Sequence, residues 1–137
     1  MLDQIENDIF EDFCALINDY ASIVQRSNTR PFLIDMFRFI AENEAMMHVI
    51  VSEPGNRTFL NRLKAVFKEN FFKHWLEENH TQASPKIEYF YSYLLSGCMG
   101  LMVHWLKTGM KEPPEQMATL TEAIILEGSN FIESKAS

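Results

Sequence analysis

Chemistry in this chain would have to come from a few side chains, and their spacing argues against most of it. Glu77-Glu78-Asn79-His80 contains one Glu-x-x-His, the motif with which helical bundles hold paired iron or manganese ions. That chemistry needs two such motifs and two further glutamates, so a lone copy in a polar stretch reads as a solvated cluster. Glu44 and His48 stand four apart, one helical turn, and without a second pair they suit a surface contact better than a metal. Cys14 and Cys98 both lie among apolar neighbours without metal-type spacing and read as small core hydrophobes. His104, on an apolar segment, suits a hydrogen-bonded interface position. No serine stands in a nucleophile elbow, and no glycine-rich phosphate cradle or partner for Cys98 is present. The expectation is a protein that is not an enzyme and carries no metal or other cofactor.

Composition narrows the alternatives. A chain of 137 residues with 47% hydrophobic content is one domain able to bury a real core. Nineteen acidic against twelve basic residues give a formal charge of −7, the wrong balance for gripping nucleic acid directly. The longest apolar run, Tyr93–Leu106, is about 14 residues and interrupted by Ser96, Gly97, Gly100 and His104, whereas a span needs ~20. No segment has the layout of a secretory signal, and the cysteine usage suits a reducing compartment. A cytoplasmic protein is expected.

The elements that must position any site are helices. Ile5, Ile9, Phe13, Leu16, Tyr20 and Ile23 recur at spacings of three and four and predict a helix over Leu2–Gln25, its other faces loaded with acid. Asn28, Thr29 and Pro31 offer start chemistry for a second helix, carried by Phe32, Met36, Phe37, Phe39, Ile40, Met46, Met47 and Ile50 and stopped by Pro54–Gly55. A third, capped by Asn56 or Thr58, buries Phe59, Leu63, Val66, Phe67, Phe71 and Trp75. After a polar loop over Glu78–Ser84, Ser84-Pro85 starts a fourth that closes at Thr108–Gly109. Pro113–Pro114 launches a fifth. The expectation is an all-α fold of five helices.

The fourth helix is apolar nearly all round, which a small soluble domain cannot leave in water. Projected at 100° per residue, Ile87, Tyr91, Leu94, Cys98, Leu101, Met102 and Trp105 share one face and read as core. The opposite face carries Tyr89, Ser96, Gly100 and Val103, flanked by Tyr93, Gly97 and His104. Small residues there admit a close second helix, either from the same chain or from a partner. The partner reading is favoured, because one layer of five helices has few ways to cover both faces and isologous dimers are the commonest oligomers. The methionine and phenylalanine load of the second and third helices is either packed core or a deformable apolar cavity. As a cavity it would be walled by Met36, Phe37, Ile40, Met47, Phe59, Leu63 and Phe67, with Tyr20, Tyr91 and Cys98 as sparse polar contacts.

Ser96-Gly97, Gly100, Trp105-Leu106-Lys107-Thr108-Gly109-Met110 and Pro114-Glu115-Gln116-Met117 resemble the C-terminal signature of tetracycline-repressor (TetR) family regulators. The likeness is greatest to a branch that includes regulators of dihydroxyacetone utilisation, with Phe39-Ile40-Ala41-Glu42-Asn43 in support. It covers nearly the whole chain, as the regulatory domain. The resemblance implies a homodimer in which the last two helices, Pro85–Thr108 and Pro113–Glu133, pair with the partner's in a four-helix bundle. Met117, Leu120, Thr121, Ile124 and Gly128 would then join the contact. It further implies a small apolar effector or a protein co-regulator, and DNA binding through an N-terminal helix-turn-helix unit. That unit is not seen here, since Met1 leads straight into what resembles the connecting helix. The other reading is a helical protein-interaction adaptor without a DNA-binding unit.

Overall fold

The computed structural model describes residues 2–21, 29–52, 56–73, 76 and 84–136. Among them there are α-helices and one π-helical turn, and no strand. The helices are α1 (Leu2–Ala21), α2 (Arg30–Glu42), α3 (Glu44–Ser52), α4 (Asn56–Phe67), α5 (Pro85–Lys107) and α6 (Pro114–Ala136). The π turn, Lys68–Phe72, continues α4. The stop expected at Pro54–Gly55, the end of the first helix beyond Ala21, Trp75 and the Glu77–His80 motif lie outside the described residues.

In α1, Ile9, Phe13 and Ile17 are buried, each one turn after the last, while Asp8, Glu11, Asp12 and Asp19 face out. Phe13 meets the edge of Phe39 at 4.7 Å, fixing α1 across α2. Phe10 packs on Phe59 of α4 and lies under the Arg62 guanidinium at 4.0 Å. Arg62 also donates to Asn7 at 3.1 Å. The acidic surface of α1 is thus bridged to α4 by a side chain that stacks and hydrogen-bonds together.

The expected single second helix is two. Asn43 interrupts it, with φ −112° and ψ 32°. Its side-chain amide donates to the Phe39 carbonyl at 2.9 Å, and its backbone N–H also reaches back to Phe39 and Ile40. An asparagine that bonds its own preceding turn competes with helix continuation. The chain restarts at once, as Met47 donates to the Asn43 carbonyl at 2.9 Å. The bend lets Phe32, Leu33, Met36, Phe37 and Ile40 bury on α2 while Met47, Ile50 and Val51 bury on α3. Thr29 occupies the N-cap position of α2 without a side-chain cap bond; Pro31 in the first turn carries the start instead.

The final helix makes its most extensive contact with α2, not with α5. Met117, Ala118 and Thr121 are buried on that side. Arg30 donates to Glu122 through Nε and Nη2 at 3.1 and 2.8 Å, and Arg38 pairs in the same way with Glu115. Ascending along α2 therefore means descending along α6, so the two helices run antiparallel. Eight residues on one helix and seven on the other rise by about 12 and about 10.5 Å, close enough for both pairs to form together. Arg38 holds the Glu115 carboxyl below its ordinary range.

Candidate functional site

The joint between α5 and α6 shows why its residue types occur in that order. Thr108 is the C-cap of α5, Gly109 has φ +94° and Met110 φ +50°. Gly109 donates to the Leu106 carbonyl at 3.3 Å and Met110 to the Trp105 carbonyl at 2.9 Å. That pair of bonds is the Schellman arrangement, and it satisfies carbonyls the helix end would otherwise leave open. Trp105 is 2% exposed, stands edge-on to Phe37 at 5.3 Å, and donates from its indole N–H to the Glu112 carbonyl at 2.9 Å. Gln116 and Met117 then donate to Pro113 and open α6. One tryptophan thus ties the helix end, the turn and the core together.

At its other end α5 begins as its sequence indicates. Ser84 is extended, and its hydroxyl accepts from the Ile87 N–H at 3.3 Å, with Pro85 in the first turn. Along the helix, Ile87, Met99, Met102, Trp105 and Leu106 are buried, while Tyr91, Leu94, Cys98 and Leu101 are half-buried. The opposite face is open: Tyr89 and Tyr93 are each 78% exposed, and Ser96, Gly97, Gly100 and His104 are exposed with them. A methyl placed on Gly97 or Gly100 would meet nothing within 4 Å. Leu120 and Ile124 of α6 are 46% and 41% exposed, and Val103 is half-buried.

The remaining residues expected at a subunit contact sit elsewhere. Met117 and Thr121 are buried inside the chain, the Thr121 hydroxyl donating to the Met117 carbonyl at 2.8 Å. At Gly128 a methyl would lie 3.1 Å from the Phe90 ring, so that glycine serves the close approach of α6 to α5 within one subunit.

The residues expected to wall an apolar cavity are divided. Met36, Phe37, Ile40, Met47, Phe59 and Leu63 are buried in one continuous core with Phe13, Trp105 and Leu106, and Phe67 packs at its edge against Phe32 and Phe71. Tyr20 donates to Asp35 in a short hydrogen bond that pushes the phenol above its ordinary range. It lines an open groove of about 600 Å³ with Arg30, Pro31, Ile34, Asp35, Arg38 and Glu122. Tyr91 lines a second groove, over the π turn. Neither the polar groove beside the α2–α6 ion pairs nor the π turn was legible in the sequence, since both follow from how helices meet.

Burial pushes the Cys98 thiol up to about 11. Cys14 is raised too, by burial, against the opposing pull of nearby Arg62. A thiol at 11 leaves about one in a thousand ionised near pH 8. Brief native alkylation at that pH is therefore expected to mark Cys14 before Cys98, with both marked after unfolding. Equal rates in peptide mapping would mean that the inner face of α5 is open to solvent.

Glu44 and His48 lie 3.8 Å apart on the surface of α3. Among the described residues no group of three or more His, Cys, Asp or Glu is placed to hold a metal ion. No helix there is long and apolar enough to cross a membrane. Residues 27–127 match the model of a family described as "Transcriptional regulator C-terminal region". No curated protein and no solved structure matches the chain.

Proposed function

The chain belongs to the TetR-type family of transcriptional regulator C-terminal regions, and from that premise we propose that it is the effector-sensing and dimerisation domain of such a regulator. The observation that carries the dimer is the set of exposed apolar and small residues on α5 and α6. Tyr89 and Tyr93 stand one turn apart on α5, Leu120 and Ile124 stand one turn apart on α6, and Gly97 and Gly100 leave room for a close second helix. Exposed large apolar side chains grouped around small ones mark an interaction surface. The 23 residues of α5 give a face about 34 Å long. Paired with α6, that length suits the ~800 Å² per partner of a stable interface. Tyr89, Tyr93, Ser96, Gly97, Gly100, Val103, His104, Leu120 and Ile124 form the contact in this reading, and Met117, Thr121 and Gly128 support it from inside the subunit.

The regulatory step is a shift between two dimer geometries, one of which the effector binds more tightly. Tyr20–Asp35 ties α1 to α2, and the Arg30–Glu122 and Arg38–Glu115 pairs tie α2 to α6. A change at the dimer helices thereby reaches α1, the helix that leads to a DNA-binding unit in this reading. The branch of dihydroxyacetone-utilisation regulators is proposed on Ser96-Gly97, Gly100 and the Trp105–Met110 and Pro114–Met117 motifs, and the place of action is the cytoplasm.

Sedimentation of wild type against Gly100→Arg tests the contact. The substitution meets no atom of its own chain, so the variant is expected to keep wild-type helicity by circular dichroism and to sediment as a monomer. A variant that stays dimeric sinks the assigned interface, and a monomeric wild type sinks the dimer.

A further inference from the structure

The groove over the π turn has a composition unlike the rest of this acidic chain. Its floor is the tilted stack of Phe72 on Tyr91, ring centroids 4.4 Å apart, with Leu95 alongside. Its mouth holds Lys64, Lys68 and Glu88.

The π turn creates this floor. Two carbonyls at the turn take side-chain donors, Val66 accepting from Asn70 at 2.9 Å and Phe67 from the Tyr91 hydroxyl at 3.1 Å. The wider turn presents the consecutive Phe71 and Phe72 to different neighbours, Phe71 to Phe32 and Phe72 to Tyr91. Wide turns of this kind recur at functional sites.

Among the described residues the charges at the mouth do not cancel. Lys68 lies 3.8 Å from Glu88, whereas half-buried Lys64 makes no ion pair among the described residues. Its stem lies against the groove, and an ammonium with no carboxylate of its own favours an anion beside it. On a chain of formal charge −7, a locally positive mouth over an aromatic floor is a selective feature. The groove offers about 210 Å³, room for roughly ten non-hydrogen atoms and below the ~300 Å³ of drug-sized sites.

We propose that the groove between the π turn and α5 binds a small organic carboxylate. The acid group sits at Lys64 and Lys68, and a flat or short apolar body lies along half-buried Tyr91 and Leu95, with buried Phe72 packed behind Tyr91. The hydroxyl of Ser92 on the α5 wall is a further hydrogen-bond partner. The site borders the open face of α5 through Ser96, so an occupant lies where it bears on dimer geometry. That role as a signal rests on the regulator reading, whereas the binding itself does not.

The test is a titration of the whole chain with sodium phenylacetate and sodium hexanoate, followed by amide chemical shifts. Phenylethylamine serves as the charge-reversed control. Saturable shifts confined to residues 64–72 and 88–96 are expected for at least one acid. The amine should bind at least about tenfold more weakly. Lys64→Met, which keeps the stem and removes the charge, should weaken the acid by about tenfold with the fold intact. Ala65→Trp, which fills the groove without altering charge, should abolish the shifts.

No saturable shift with either acid overturns the site. So do shifts scattered over all lysines and arginines, equal binding of the amine, or an unchanged affinity in Lys64→Met. The dimer reading is scored separately by sedimentation of Gly100→Arg, so either can fail alone.

Discussion

Replacing Trp105 with alanine is expected to cost about 4–5 kcal/mol of folding stability, a large part of what a domain of this size has. Truncating a fully buried tryptophan costs ~3–5 kcal/mol through lost transfer energy and the cavity left behind. Here the indole also gives up its edge contact with Phe37 and its hydrogen bond to the Glu112 carbonyl. Removing a donor from a partly buried carbonyl adds about 1 kcal/mol. Trp105→Phe separates the two effects, because it keeps most of the ring and loses only the bond, with an expected cost of about 1–2 kcal/mol. Urea denaturation at one fixed protomer concentration measures both, since dimerisation would otherwise move the midpoint. A loss below about 1 kcal/mol for the alanine variant would mean that the α5–α6 joint is not built around this side chain.

Gly109→Val is expected to cost about 2 kcal/mol, and the reason is backbone geometry alone. At φ +94° an L-residue brings its Cβ against its own carbonyls, a penalty of roughly 1–2 kcal/mol that β-branching increases. No neighbour contributes, as a methyl placed there meets nothing within 4 Å. Gly109→Ala should cost about 1 kcal/mol, part of the strain being offset by the reduced freedom of the unfolded chain. Gly109→Asn should be the mildest, because asparagine visits the left-handed region more readily. The order Asn, Ala, Val in rising cost, read from urea midpoints, is the diagnostic result. A flat series would show that the turn relaxes to negative φ and that the Schellman bonds to Trp105 and Leu106 are dispensable.

The helical segments were legible because their signals are local. The three- and four-residue recurrence of Ile9, Phe13, Leu16 and Tyr20 specifies a helix with one apolar stripe, although the buried line runs through Ile17 and leaves Leu16 and Tyr20 half-buried. Ser84-Pro85 and Thr108-Gly109 carry their cap chemistry in their own side chains and backbone. The break at Asn43 was not legible. The hydrophobic pattern runs straight through it from Phe39 to Met47, and the competing bond from the Asn43 amide to the Phe39 carbonyl depends on geometry that periodicity does not encode. The π turn at Lys68–Phe72 escaped for the same reason, since its carbonyls rely in part on Tyr91, a residue of another helix.

The candidate sites divide along the same line. The apolar helix over Tyr89–Leu106 had to have two faces, and the sequence put Ser96, Gly97 and Gly100 on one, together with Tyr89 and Tyr93, and Ile87, Met102 and Trp105 on the other. Which further residues share the open face was a question of packing. On α6, Met117 and Thr121 turned toward α2 while Leu120 and Ile124 stayed outside, because α2 offers Arg30 and Arg38 to Glu122 and Glu115. Met36, Phe37, Ile40, Met47, Phe59 and Leu63, which the sequence offered either as core or as the wall of a cavity, are buried in one continuous cluster. Composition cannot distinguish a wall from a filling, because both need the same residues.

The sequence by itself determined an all-helical chain, its turn at Gly109, the two-sided character of α5 and the likeness to a regulator's C-terminal region. Each of those depends on neighbours within a few residues or on a recurring motif. Only the tertiary structure decided that α6 lies antiparallel along α2, that Gly128 admits Phe90, and that two lysines open a groove over an aromatic floor. Those outcomes turn on distances between residues far apart in the chain, and such distances are set by the sum of all the packing choices together.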